Sequence, residues 1–266
     1  MARSNGGPAR FVGHDYPQTI PEPDDVVAGR PAPWSALAPA DRTGRTMASV
    51  VQSLEAGGRL FEVAPMPGDP TELAAVADAR RRAITRRSAV LVALFEEAGE
   101  THVVLTRRSF TLRHHRGEIA LPGGRSDEGE TPVKTALREA YEEVGIDPDS
   151  VQAVGWLSPI VTFASGSAIW PVVGLLEGRP ELKADPVEVD RAFTASLAEL
   201  LAEGAFVEER WRRELRRPGA DAEGYFPIYF YRVPGDVIWG ATARILTELL
   251  CLATGVTWPD ANRMWG

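Results

Sequence analysis

The sequence has one cysteine, Cys251, so no intrachain disulfide can form and a reducing interior is the natural compartment. It also lacks positive charge in bulk. The 29 Lys plus Arg stand against 37 Asp plus Glu, a net of −8, which excludes a nucleic-acid binder whose affinity comes from overall charge. Any grip on phosphate must therefore be local. No apolar run reaches the roughly 18 residues of a membrane-spanning helix, so no membrane association is expected. The first residues show no apolar core of the secretory kind and the last, Met264-Trp265-Gly266, no peroxisomal signal, which leaves the cytoplasm as the expected location. There is no internal repeat, and one site per chain follows.

What is present suits one large domain or a domain with an extension: 266 residues, of which 44% are hydrophobic. Residues 1–33 hold six of the 21 prolines and follow neither a 2.0 nor a 3.6 period, so they are expected to be flexible or draped. Residues 46–56 read as a short helix stopped by Gly57-Gly58. Asp69-Pro70 reads as the start of another helix to about Arg87, with Arg80, Arg81, Arg82, Arg86 and Arg87 on a solvated face. An N-terminal extension, 1–86, is thus expected to be helical over 46–86, packing on the remainder of the chain or on a second subunit in a homodimer.

Residues 89–95 are a continuous apolar run suited to a buried strand, paired with 101–106 across a glycine-containing turn. Further strands are expected at 151–157, 160–163, 168–176, 207–215 and 226–233. A helix is expected over 190–203 on the stripe Leu197, Leu200, Leu201, and a final helix on Ile245, Leu246, Leu249, Leu250 and Ala253. Intermixed strands and helices predict an α/β fold with a mixed sheet between helices.

The most informative stretch is GRSDEGETPVKTALREAYEEVGI, Gly124 to Ile146. Thr131 can cap a helix with Pro132 at its first position, and Gly145 can end it. At about 100° per residue, Glu139, Glu142 and Glu143 then fall near 0°, −60° and +40°, within one narrow arc. Val133, Ala136, Leu137, Ala140, Tyr141 and Val144 form the expected core face. Glutamates near a helix C-terminus oppose the macrodipole, each at a cost of roughly 0.3–1 kcal/mol. A hard divalent cation such as Mg²⁺ or Mn²⁺ would compensate them. The approach through Leu121-Pro122-Gly123-Gly124 suits a chain bending tightly beside a ligand.

These residues resemble the Nudix box: glycine, five residues, glutamate, seven residues, then Arg-Glu-small-x-Glu-Glu-x-Gly-aliphatic. Gly124, Glu130, Arg138, Glu139, Ala140, Glu142, Glu143, Gly145 and Ile146 occupy every fixed position. The resemblance implies an α/β/α sandwich over 87–256, with 257–266 as a tail. It implies Mg²⁺ or Mn²⁺ on Glu139, Glu142 and Glu143, and a Glu130–Arg138 ion pair that orients them. The family also recruits a carboxylate from outside the box, for which Glu188 is the candidate here. Hydrolysis of a P–O–P link would follow, with Glu139 or Glu142 as base and Arg138 supporting them.

Upstream, Val104-Leu105-Thr106-Arg107-Arg108-Ser109, Arg113, Gly117 and Leu121-Pro122-Gly123-Gly124 are similar to the motif of the coenzyme A pyrophosphatase branch, with Val104 for leucine and Leu121 for phenylalanine. This implies coenzyme A or acyl-CoA as substrate, bound by Arg108, Ser109, Arg113, Gly123 and Gly124. Arg107, Arg108, Arg113, His114, His115 and Arg116 read as a cationic patch for its phosphates. ADP-ribose or NADH is the alternative substrate class, and a nucleotide sensor that does not cut is the alternative of another kind. Residues 238–246, around Trp239 and Arg244, resemble the C-terminal part of the same branch, where a strand enters the last helix.

Overall fold

The computed structural model describes residues 18–43, 45–61, 86–162, 167–212 and 223–258. In chain order the elements are β1 (Asp25–Ala28), α1 (Met47–Ala56), β2 (Arg86–Glu97), β3 (Glu100–Arg108), β4 (Ile119–Ala120), β5 (Gly123–Arg125), α2 (Pro132–Val144) and β6 (Gln152–Trp156). They continue with β7 (Ile160–Thr162), β8 (Ser167–Leu175), β9 (Val189–Ser196), α3 (Leu197–Leu201), β10 (Phe206–Arg212), β11 (Tyr225–Val233), β12 (Asp236–Trp239) and α4 (Gly240–Thr254). Among these helices none is long and apolar enough to cross a membrane.

The strands form two sheets. The larger runs β4-β3-β2-β8-β6, with β5 on β2, β7 on β8 and β9 on β3. Its β2–β8 pair is parallel and its other pairs antiparallel, so the expected mixed sheet is present. The smaller sheet runs β1-β10-β11-β12 and is antiparallel throughout.

The alternation along β2 divides the interior. Ala89, Leu91, Ala93 and Phe95 share a core with Ala136, Ala140 and Val144 of α2. Val92 and Leu94 face the other way, into a larger core with Val50 and Leu54 of α1, Leu197, Leu200 and Leu201 of α3, and the apolar stripe of α4. One sheet thus lies between two helical layers, the second of them backed by the smaller sheet. β2 and β3 pair only near their shared turn, Leu94↔Val103 to Glu97↔Glu100. Beyond it they part, and residues 119–125 fill the gap as β4 on β3 and β5 on β2. That insertion carries the glycine pair into the middle of the sheet.

Three expectations are corrected. Residues 25–28 form an edge strand, and Trp34, only 1% exposed, lies against Phe206 and Tyr231 with ring centroids 5.5 and 6.4 Å away. Helix α1 packs on α4 of its own chain, one of the two placements expected for it. The polar, proline-rich composition concealed a single aromatic anchor whose pocket is built by β10 and β11. Second, Arg86 and Arg87 open β2 instead of closing a helix, paired with Ser167 and Ala168. Residues 69–85 of that expected helix, with Arg80, Arg81 and Arg82, lie outside the described residues, as do 1–17 and 259–266. Third, residues 189–196 are a strand on β3, and only Leu197–Leu201 are helical. The leucine stripe fits that short helix, begun by a capping box of Ser196 and Glu199, whereas Phe193 and Thr194 favour the sheet.

Replacing Trp34 by alanine should cost about 3–5 kcal/mol of unfolding free energy, as for a buried aromatic emptied from a core. Urea denaturation reads this directly; a loss below about 1 kcal/mol would show that the N-terminal segment is detachable.

Candidate active site

Helix α2 is fixed by its ends as the sequence predicts. The Thr131 hydroxyl accepts from Lys134 N–H, Pro132 opens the first turn, and Gly145 closes it in the left-handed conformation at φ 74°. Its faces differ from expectation in one respect. Tyr141 is 58% exposed, while Glu143 is 4% exposed and sits among the core residues. Taken around the wheel from Ala136, Glu143 falls near −20° and Tyr141 near 140°, so the carboxylate lies inside the apolar arc and the ring outside it. Glu139 is largely covered and Glu142 is open to solvent.

Arg138 organises this face. Its Nε and Nη2 donate to the two oxygens of Glu130 at 3.1 and 3.0 Å, a forked pair. Nη1 donates to Glu139 and to Glu142, each at 2.9 Å, and Nη2 also reaches the Arg125 carbonyl at 3.0 Å. Glu130 additionally accepts from Asp127 N–H at 3.1 Å and from the Thr135 hydroxyl at 3.0 Å. The fork to Arg138, helped by those two donors, holds the Glu130 carboxyl down to about 2. Sequence reasoning passed over Thr135, whose buried hydroxyl is legible only once Glu130 is seen beside it.

The glycine pair brings backbone against carboxylates. Gly123 N–H donates to Glu143 at 3.0 Å, and Arg108 lies 3.7 Å from the other Glu143 oxygen. Burial nonetheless pushes Glu143 up to about 7; those two contacts oppose the shift and the charges of Glu139 and Glu188 add to it. Glu139 is also raised, first by burial, with Arg138 opposing and Glu142 and Glu188 adding. A Cβ on Gly124 would stand 2.4 Å from the Glu139 carboxylate, and one on Gly123 would stand 2.4 Å from the Ala89 carbonyl. Gly123 has no room for a side chain, and at Gly124 a Cβ would have to push the Glu139 carboxylate aside.

The upstream cations divide. Arg107 is consumed by the fold, 2.7 Å from Asp190 and 3.3 Å from the buried Asp236, and so leaves the expected phosphate patch. His115 pairs with Glu118 at 3.0 Å, and Arg116 donates to the Leu112 carbonyl. Arg113 and His114 are exposed on the loop between β3 and β4. Ser109 is buried: its hydroxyl bonds Thr111 at 2.8 Å and its N–H donates to the Glu188 carbonyl at 2.8 Å. It ties the Glu188 segment to the end of β3. Trp239 and Arg244 serve packing, with the Arg244 guanidinium 4.3 Å above Trp258 and Trp239 against Trp211.

A model of the NUDIX domain matches residues 85–215. The chain is 37% identical over 165 residues to "Uncharacterized Nudix hydrolase NudL" of Photorhabdus laumondii, covering 62% of this chain and 83% of that protein. It is 32% identical to "Nudix hydrolase 3" of Caenorhabditis elegans, covering 61% of this chain and 71% of the relative. With "Nudix hydrolase 15, mitochondrial" of Arabidopsis thaliana it shares 36% identity over 69% of this chain and 61% of the plant protein. The chain belongs to the Nudix hydrolase family. It is therefore a pyrophosphohydrolase of nucleoside diphosphate derivatives, in a family that works with divalent metal ions.

Among the described residues no three His, Cys, Asp or Glu side chains converge as a ready-made cage, because Arg138 stands between Glu139 and Glu142. The donors nevertheless fit the Nudix metal. They are carboxylate oxygens, the class hard divalent cations select, and the mutual repulsion of Glu139, Glu142, Glu143 and Glu188 is the strain a cation relieves.

Two outcomes follow for this Nudix site. Because the Glu130 pKa is lower folded than its ordinary value of 4.5, its stabilising contribution is complete above that pH and is lost as pH falls toward 2. Glu130→Gln should flatten the stability profile across that window in acid-titrated urea melts; profiles falling in parallel would exclude the coupling. Gly124→Ala should weaken Mn²⁺ affinity by about tenfold with little change in melting temperature, because its Cβ displaces the Glu139 carboxylate and not the backbone. Titration calorimetry reads the first quantity and thermal unfolding the second.

Proposed function

We propose that this Nudix enzyme hydrolyses coenzyme A or acyl-CoA, releasing 4′-phosphopantetheine or its acyl form and adenosine 3′,5′-bisphosphate. The observation that carries the reading is Arg108. One end of its guanidinium lies 3.7 Å from Glu143, while its Nε is buried without a hydrogen-bond partner among the described residues. A phosphate oxygen beside Glu143 would satisfy that donor. Five and six residues further on, Arg113 and His114 stand exposed, and the loop base is closed by Arg108 N–H to Glu118 carbonyl at 3.0 Å and Gly117 N–H to Arg108 carbonyl at 3.1 Å. A second positive group at that spacing suits a substrate with a 3′-phosphate besides its diphosphate.

Glu139, Glu142 and Glu143, with Glu188, would hold Mg²⁺ or Mn²⁺. When bound, such ions neutralise phosphate oxygens and lower the pKa of coordinated water. The chain's own residues do the rest. The Arg138–Glu130 pair fixes the rotamers of Glu139 and Glu142, and Gly123 N–H fixes Glu143. Arg108 and Arg113 orient the diphosphate and the 3′-phosphate. Water oxygen bonds to one phosphorus, the bond from that phosphorus to the bridging oxygen breaks, and the water proton passes to Glu139 or Glu142. Two phosphomonoesters leave. The single buried cysteine supports a reducing compartment, which we read as the cytoplasm.

A product-resolved panel of coenzyme A, acyl forms, ADP-ribose, NADH and nucleoside triphosphates tests the assignment. Coenzyme A compounds should give the highest kcat/KM; preference for ADP-ribose or NADH would replace the reading, and intact substrate throughout would make the protein a sensor. Arg113→Ala should raise KM for coenzyme A by about tenfold and leave dephospho-coenzyme A nearly unchanged. Equal effects on both would remove the 3′-phosphate from the argument.

A further inference from the structure

Arg107 belongs to a charge network that joins the smaller sheet to the catalytic one. Arg107 on β3 and Arg191 on β9 are directly opposite across the strand pair, an arrangement that like charges disfavour. The fully buried carboxylate of Asp236, from the start of β12, accepts from both, 3.3 Å from Arg107 and 2.7 Å from Arg191. Asp190 takes the other side of Arg107 at 2.7 Å.

This junction coincides with an irregularity in the sheet. The register runs Arg107↔Arg191 and then Arg108↔Val189, so Asp190 is the extra residue of a β-bulge. Bulges re-aim the side chains on either side of them. Here Arg107 turns to the smaller sheet and Arg108 turns to Glu143. One residue beyond the bulge on each strand, Ser109 N–H holds the Glu188 carbonyl at 2.8 Å. Glu188 in turn is close enough to act electrostatically on Glu139 and Glu143.

We propose that Asp236 is a positioning residue of the active site: by neutralising Arg107 and Arg191 it sets the bulge that keeps Arg108 and Glu188 directed at the glutamates of α2. None of the sequence motifs includes Asp236, and among the described residues its carboxylate is linked to the site through these arginines. The role concerns the hydrolytic centre itself and is independent of which diphosphate is cleaved, so the test uses the fastest-cleaved compound of the panel.

Asp236→Asn keeps the shape and removes the charge. Its kcat should fall by about tenfold or more while KM changes less than about threefold, and Mn²⁺ affinity without substrate should weaken in parallel. Glu188→Gln should then cost much less in the Asp236→Asn background than in wild type. If Asp236→Asn fails to fold, Arg191→Met removes one arm of the same clamp and should move kcat and Mn²⁺ affinity in the same direction. Arg212→Gln, which breaks the Asp25 pair elsewhere on the smaller sheet at 2.9 Å, should leave both unchanged. Wild-type kcat and Mn²⁺ affinity in both clamp variants, multiplicative effects of Asp236→Asn and Glu188→Gln, or an equal loss from Arg212→Gln would each overturn the proposal.

Discussion

The site depends on how one guanidinium spends its donors. Arg138 has five N–H groups in a plane, and all are committed: two in the fork to Glu130, two on Glu139 and Glu142, and one on the Arg125 carbonyl. A lysine at this position has one compact charge and cannot serve three carboxylates from fixed directions. Glu130 is itself held by Asp127 N–H and Thr135, so the arginine is braced from the loop before the helix and braces the helix in return. The glutamates still outnumber the arginines around them. The centre is thus rigid in shape and incompletely neutralised in charge, which is the condition for taking up a divalent cation without rebuilding the protein.

The rest of the architecture serves to bring three separate chain segments to that point. β2 carries α2 on one face through Ala89, Leu91 and Ala93. Its early divergence from β3 admits residues 119–125, so Gly123 and Gly124 approach the carboxylates with backbone alone. β9 lies on the far side of β3 and ends the excursion that contains Glu188. The smaller sheet then closes over the end of this arrangement through Asp236. Ion pairs as covered as this one contribute little net stability after desolvation, so geometric specification is the better account of why charges are buried there.

What was legible in the sequence was what is encoded locally. Thr131, Pro132 and Gly145 define α2 without help from the remainder of the chain, and the spacing of Arg138, Glu139, Glu142 and Glu143 places them on one side. What was not legible depends on partners far along the chain. Arg107 read as a phosphate ligand because its partner, Asp236, is 129 residues away. Trp34, just past the proline-rich residues 1–33, was not picked out as core because its pocket is made by Phe206 and Tyr231. Residues 190–196 read as helix because the leucines just beyond them are helical, while the pairing with β3 that makes them a strand leaves no local period. Composition identifies the core in each case and cannot identify the neighbour.

Glu143 shows why a functional site breaks the rules that built the fold around it. A glutamate inside the apolar arc of a helix is a local inconsistency, and burial, with the charges of Glu139 and Glu188 adding to it, raises its pKa toward neutrality. An alanine or leucine there would pack with Ala140 and Val144 at lower cost. The chain instead sets against it the Gly123 N–H and the Arg108 guanidinium, two of the groups sequence reading had assigned to substrate. In the proposed reading those same groups join the phosphate side of the site to its metal side. The destabilised carboxylate, the bare glycine backbone and the arginine are one device, and each is explained only by the other two.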